Sequence, residues 1–224
     1  MGLGLALRWA SLGVPILIGS RDASKARDAA QKIVGEIEHA IPDRTSINLS
    51  VAGFENAQAA AEASVVVLAV PFPAQSAILK SIRGALKDSS DVIVVDATVP
   101  LAATLGGKAT RLVGVWQGSA AEQARELIPA TIPVLAAFHN LSAEALQHLA
   151  EPLDCDILIC GDDEPAKRRL FPLVKLIAGL RPIDAGPLEM ARIVESLTAL
   201  LISLNRRYKA PHSGIRITGL LPGD

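Results

Sequence analysis

Near the start of the chain, residue types and spacing suggest a site for a phosphorylated ligand. Gly2 opens a stretch with apolar side chains at helical spacing over 3–12, which stops at Gly13 and is followed by the β-rich run VPILIG at 14–19. A glycine heading a helix that feeds a strand falls where the last glycine of a G-x-G-x-x-G dinucleotide fingerprint belongs, with helix amides turned to the pyrophosphate. An ordinary helix start explains a lone glycine about as well. Gly4 would let that helix pack closely on a sheet. Ser20 and Arg21 follow the strand, and Lys25 comes one helical turn later. An acidic residue at this place would bind the ribose hydroxyls of NAD, whereas hydroxyl and cationic groups suit the 2′-phosphate of NADP through charge-assisted hydrogen bonds. The competing reading has Ser20 capping the next helix, with Arg21 and Lys25 as solvated surface charges.

Other chemistries find less support. Cys155 and Cys160, the only cysteines, lie in a run that reads as a buried strand, with no histidine at metal-ligand spacing, and are expected to be reduced core thiols. Asp162 and Asp163 could coordinate a cation, although capping the following helix is the simpler expectation. No nucleophile–base pair, paired carboxylates or metal cluster is evident. The net charge of −1 and an aromatic content of 3% disfavour nucleic acid as a partner and favour a small molecule. No signal segment or membrane-length apolar run is present, so no membrane partner and a cytoplasmic location are expected.

The elements that would hold these residues alternate. Helical patterns over 22–39, 55–62 and 74–86 separate strand candidates at 47–52, 64–70 and 92–97, and a helix at 119–127 precedes a last strand of this series at 133–137. The runs SVVVLAV and VIVVDA are unbroken apolar, as strands covered on both faces should be, and end in loop chemistry. The expected fold is α/β: a Rossmann-like, doubly wound parallel sheet with a smaller C-terminal α/β domain, ligands sitting at the carboxyl ends of the strands. The rhythm changes near Phe138, which divides the chain into an N-terminally incomplete NADP-binding part, 1–137, and a second domain, 138–224. The latter carries helices at 142–149, 164–177 and 188–208 and strands at 156–160 and 180–184.

The segments GLGLALRWASLG and LIGSRDASKA, with LAVPF, ATVPL, AFHNLSA, CGDDEPAK, LRPIDAGPL and RIVESLTALL in the same order, resemble the NADPH-dependent F420 reductases, also called F420:NADP oxidoreductases. The resemblance spans the whole chain. It implies transfer of hydride between NADP(H) and the deazaflavin coenzyme F420, stacked face to face in the cleft between two domains, the second being the deazaflavin-binding one. By the same resemblance Ser20, Arg21 and Lys25 match positions binding the 2′-phosphate, and Val70, Val99 and Ala143 match positions lining the nicotinamide half. His139, Arg192, Ser196 and Thr198 match polar positions around the deazaflavin, and a homodimer is implied. His139 could donate to a ring carbonyl as the catalytic residue, or be satisfied at the domain junction. Arg192 and Ser196 share a helix face at i, i+4, yet Glu195 could hold Arg192 in a structural ion pair; Thr198 faces elsewhere on a regular helix.

The sequence departs from the pattern at its start, where the first strand and first two glycines of the fingerprint do not precede Gly2. Since that strand is central in a doubly wound sheet, Met1 is expected to be an internal methionine and the natural protein to extend upstream. Alternatives are an NADPH-dependent reductase of a flavin, ferric iron or imine acceptor, and a non-catalytic NADP(H)-binding protein.

Overall fold

A computed structural model of the chain describes residues 1–41, 48–87 and 91–220. Its elements are α1 (Gly2–Ser11), β1 (Ile16–Ser20), α2 (Ala23–Ala40), β2 (Val51–Glu55), α3 (Asn56–Glu62), β3 (Val65–Leu68), α4 (Phe72–Lys87) and β4 (Ile93–Asp96). There follow α5 (Ala120–Leu127), β5 (Val134–Ala136), β6 (Cys155–Ile159), α6 (Glu164–Leu176), β7 (Leu180–Asp184) and α7 (Ala191–Tyr208). All named strand pairs are parallel: β1 with β2, β3 with β4 with β5, and β6 with β7. A single antiparallel bridge between Ala136 and Cys160 joins β5 to β6. The chain is therefore the parallel α/β structure expected.

Alternation along β4 explains the double covering. Ile93 and Val95 enter one core with Leu5 and Trp9 of α1, Leu135 of β5, Ile157 and Ile159 of β6 and Leu170 of α6. Val94 enters the opposite core with Leu79 and Ile82 of α4, Ala121 of α5 and Val194 of α7. Both cores run from the early elements into the late ones, so the second half of the chain is packed on the first.

Local differences from the sequence expectations have physical causes. The second strand lies at Val51–Glu55 rather than 47–52, and Ile47 is outside the described residues. The contact of β2 with α2 is set by Gly53, where a Cβ would stand 2.3 Å from backbone atoms of α2. Asp22, not Ser20, caps α2, its carboxylate accepting from the Ser24 amide at 2.9 Å. The α-helix expected over 142–149 is only a 3₁₀ turn at Ala145–Gln147. Here the carbonyls of Ala145, Leu146, His148 and Glu151 accept hydrogen bonds from the buried Arg8 guanidinium at 2.6–2.9 Å. Gly4 makes this contact possible, but against the turn rather than the sheet: its Cβ would meet that of Leu146 at 2.6 Å. The last helix starts with a 3₁₀ turn at Leu188–Met190 before α7.

Glu195 ties α7 to α5. Its buried carboxylate accepts from the amides of Ala120 and Ala121 at 3.0 and 3.1 Å, in the first turn of α5. Burial nevertheless pushes its pKa up from 4.5 to about 8, against the pull of those amides and with help from Asp96 and Glu122.

Two outcomes follow for stability. Arg8→Met should cost about 2–4 kcal/mol in urea unfolding, because it leaves several carbonyls without their donor. Amide exchange over 145–151 should rise first. The raised pKa of Glu195 means the folded state holds its proton more tightly, so this contribution is complete below pH 4.5 and is lost as pH rises through about 8. Asp96, raised to about 6 by burial, acts with the same sign at lower pH. Glu195→Gln should remove the part of the decline above pH of about 6, measured by urea midpoints between pH 5 and 9.

Candidate functional site

The carboxyl ends of β1, β3, β4 and β5 carry most of the polar residues of interest. After β1, Ser20 accepts weakly from the Asp22 amide at 3.3 Å, while Arg21 and Lys25 are exposed on and before the first turn of α2. Asp22 spends its carboxylate on the cap, through the amide and hydroxyl of Ser24. Neither Arg21 nor Lys25 has a hydrogen-bonded or ion-paired side chain among the described residues. Two cations and a hydroxyl are thus available at one strand end. Gly2 lies beside the end of β3, where its Cβ would meet that of Ala69 at 3.0 Å, and Val70 follows in the same loop.

The end of β4 is more tightly organised. Asp96 is fully buried and accepts from the Thr98 amide at 2.7 Å and from the Gln75 side chain of α4. Gln75 also donates to the Thr98 hydroxyl and to the Ala120 carbonyl, each at 2.9 Å, and accepts from Gln123 at 2.7 Å. This network fixes the loop carrying Thr98 and Val99 against the start of α5. None of Gln75, Asp96, Thr98 and Glu195 emerged as a site element from the sequence. An aspartate closing an otherwise apolar strand was the available signal.

Beyond β5 the backbone is strained. Phe138 has a φ of +72°, a conformation that bulky L-residues rarely adopt and that costs on the order of 1–3 kcal/mol. Its buried ring packs edge-on against Trp9, centroids 5.8 Å apart. The next residue, His139, is 3% exposed, and neither ring nitrogen completes a hydrogen bond of good geometry. Burial pushes the imidazole pKa down to about 4, the Thr98 backbone opposing only weakly. The ring is therefore neutral at pH 7. Both of its ring nitrogens are thus buried polar atoms without a partner, as are Asn140 Oδ1 next to it and, elsewhere, Asn205 Oδ1 and His212 Nδ1.

On α7, Thr198 donates to the His139 carbonyl at 2.5 Å, which joins two residues expected at one site and explains why Thr198 points away from Arg192. Arg192 does not pair with Glu195: it binds Glu122 at 2.8 Å and the Glu189 carbonyl at 2.8 Å. The reason is that Glu195 is committed to the α5 amides. The Ser196 hydroxyl donates to the Arg192 carbonyl at 2.7 Å, a bond within the helix. Arg192 also stands 3.3 Å from where a Cβ on Gly118 would be, so it sits over the loop entering α5. Ala143 is exposed beside the 3₁₀ turn, its carbonyl accepting from Gln147 at 3.2 Å. The structure thus forms a β1-end cluster of Ser20, Arg21 and Lys25, and a β4/β5-end cluster of Thr98, His139 and Thr198.

The alternative chemistries resolve simply. Asp163 caps α6 through the Ala166 amide at 2.7 Å, and Asp162 accepts from the Leu188 amide at 2.9 Å. Among the described residues no three His, Cys, Asp or Glu side chains are grouped so as to hold a metal ion. Cys155 and Cys160 are free and buried. No helix among the described residues is long and apolar enough to cross a membrane.

The family described as NADP oxidoreductase coenzyme F420-dependent matches residues 1–100. The F420-dependent NADP reductase of Methanothermobacter thermautotrophicus is 47% identical over 220 residues, 98% of this chain and 90% of that protein. That of Methanocaldococcus jannaschii is 42% identical over 219 residues, 98% of this chain and 94% of that protein. A solved structure of a proposed F420-dependent NADP reductase from Arthrobacter sp. FB24 superimposes with a TM-score of 0.77 at 24% identity, covering 97% of this chain and 94% of that one. An imine reductase from Pseudomonas sp. shares the fold at a TM-score of 0.57 and 13% identity, over 93% of this chain and 60% of that one. With identity of 42–47% to such reductases over 98% of its length, and with its polar residues gathered at the strand ends of a parallel sheet, the chain belongs to the F420-dependent NADP reductase family.

Proposed function

We propose that this protein transfers hydride between NADP(H) and coenzyme F420. The observation that carries this reading is the identity of 47% to an F420-dependent NADP reductase along 98% of the chain. NADPH and the deazaflavin supply the redox chemistry themselves, so the protein's work is to bind, orient and exclude water.

Ser20, Arg21 and Lys25 hold the 2′-phosphate in this reading. Their availability at the end of β1 fits a dianion, which can accept charge-assisted bonds from both side-chain cations. Gly2, Val70, Val99 and Ala143 line the path of the dinucleotide. Thr198 positions the backbone of His139, and the strained Phe138 before it sets the direction of the chain. A neutral His139 keeps one N–H and donates a hydrogen bond without giving up a proton, which suits charge developing on a ring carbonyl. Arg192 and Ser196 lie one helical turn away, with Arg192 free to exchange Glu122 for a ligand. In this reading the chain divides into parts 1–137 and 138–224, and the deazaflavin binds against the second. Ile193 and Leu200, both exposed on α7, are compatible with a homodimer, and a cytoplasmic setting suits both coenzymes.

The defining assay is NADPH-dependent loss of the visible absorbance of oxidised F420. Turnover supports the proposal, whereas NADPH binding without turnover would assign the protein another acceptor or a binding role. Arg21→Gln should raise KM for NADPH about tenfold or more, with kcat little changed and NADH kinetics unaffected, as expected for one charged hydrogen bond. His139→Phe should lower kcat/KM for F420 by about tenfold to a hundredfold while leaving NADPH affinity intact, measured by nucleotide titration.

A further inference from the structure

The antiparallel bridge between β5 and β6 is a bonded pair: the Ala136 amide donates to the Cys160 carbonyl at 2.8 Å, and the Cys160 amide to the Ala136 carbonyl at 3.0 Å. In such a register the bonded positions recur at alternate residues, so Phe138 would next face Leu158, and Asn140 would face Asp156. Phe138 leaves the ladder. At a φ of +72° its carbonyl accepts instead from the Leu141 amide at 3.1 Å. Asn140 rejoins the ladder through its side chain: buried to 1% exposure, its Nδ2 donates to the Asp156 carbonyl at 2.7 Å and to Cys155 Sγ at 3.2 Å. His139 thus stands on a short arch between these two feet, its carbonyl held by Thr198 and its ring nitrogens unpartnered.

Asp156 is in turn clasped by the C-terminal segment. Its amide donates to the Ile215 carbonyl at 2.7 Å, on the edge of β6 that β7 does not use. Its buried carboxylate accepts from the Ile217 amide and from Arg216, each at 2.7 Å, and from Arg181 at 2.6 and 2.9 Å. Arg216 reaches on to Asp154 at 2.6 Å and to the Gly179 carbonyl at 2.8 Å. Gly214 permits this approach, since a Cβ there would stand 2.9 Å from the Asp154 carbonyl oxygen.

We propose that Asn140 is a positioning residue for His139, and that the C-terminal clasp on Asp156 holds in place the carbonyl to which Asn140 is bonded. This rests on the reading of His139 as the donor to the deazaflavin. A residue strained as Phe138 is persists only while its surroundings over-determine it. With the Asn140 foot released, Phe138 relaxes and the imidazole loses its fixed direction, which a hydrogen bond to a reacting ring requires.

The test follows the acylation of His139 by diethyl pyrocarbonate in the full chain, read by peptide mass mapping. A buried imidazole reacts only through local opening, and the exposed His148 serves as internal reference. Asn140→Ala should speed the reaction of His139 about tenfold or more. Arg216→Gln, an exposed change in the clasp, should speed it about threefold. Ile82→Val, in the opposite core, controls for a general loss of stability and should leave the rate unchanged. With F420, Asn140→Ala should lower kcat/KM about tenfold or more while NADPH affinity stays intact, but by less than about twofold once His139→Phe is present. Unchanged reactivity of His139 in both Asn140→Ala and Arg216→Gln would overturn the proposal. So would a loss of turnover that adds in full to that of His139→Phe. If Asn140→Ala does not fold, Arg216→Gln decides by the same two readings. Should His139→Phe leave F420 turnover intact while His139 reactivity rises as expected, the positioning stands and the reading of His139 as donor fails.

Discussion

The arrangement of the polar residues depends on a carboxylate held where carboxylates are costly. Glu195 reaches from α7 across to the first turn of α5 and accepts from the Ala120 and Ala121 amides, inside a core that raises its pKa to about 8. Those amides are helix-terminal donors with no intrahelical partner, so the bond satisfies both sides. Ala120 also receives Gln75 on its carbonyl, and Gln75 in turn holds Asp96 and Thr98. One residue of α5 therefore links the last helix to the end of β4, and the contact of Thr198 with the His139 carbonyl closes the link at β5.

Arg8 performs the opposite task at the far end of α1. Its guanidinium collects carbonyls that would otherwise pair within a helix, and so holds 145–151 as a 3₁₀ turn and loop against Gly4. Both ties are polar and buried, and both cross between early and late parts of the chain. Neither substitutes for apolar packing, which runs continuously from α1 through β4 and β5 into β6 and α6. Their contribution is geometric, since each bond allows one relative placement of the elements it joins.

The strain at Phe138 gains meaning in this setting. A phenylalanine at φ +72°, pinned by Trp9, is tolerated because the surrounding core holds it. It delivers His139 to a place where its ring nitrogens lack partners, the kind of unfinished hydrogen bonding that a ligand completes. The strand ends thus carry an exposed cationic cluster after β1 and a buried polar cluster after β4 and β5.

Sequence alone was enough for the parallel α/β class, most element positions and the family, because apolar runs such as SVVVLAV and small-residue helices reflect local periodicity and double-sided burial. The position of Ser20, Arg21 and Lys25 at the end of β1 was legible for the same reason: they follow a recognisable strand end directly. What only the tertiary structure decided were the partners of residues far apart in the chain. Glu195 to α5 rather than Arg192, Arg8 to the 145–151 carbonyls, Gly4 against Leu146 and Thr198 to His139 all depend on which elements meet. Short-range pattern carries no record of such contacts, since a buried charge reads in the sequence like an exposed one until its neighbours are known.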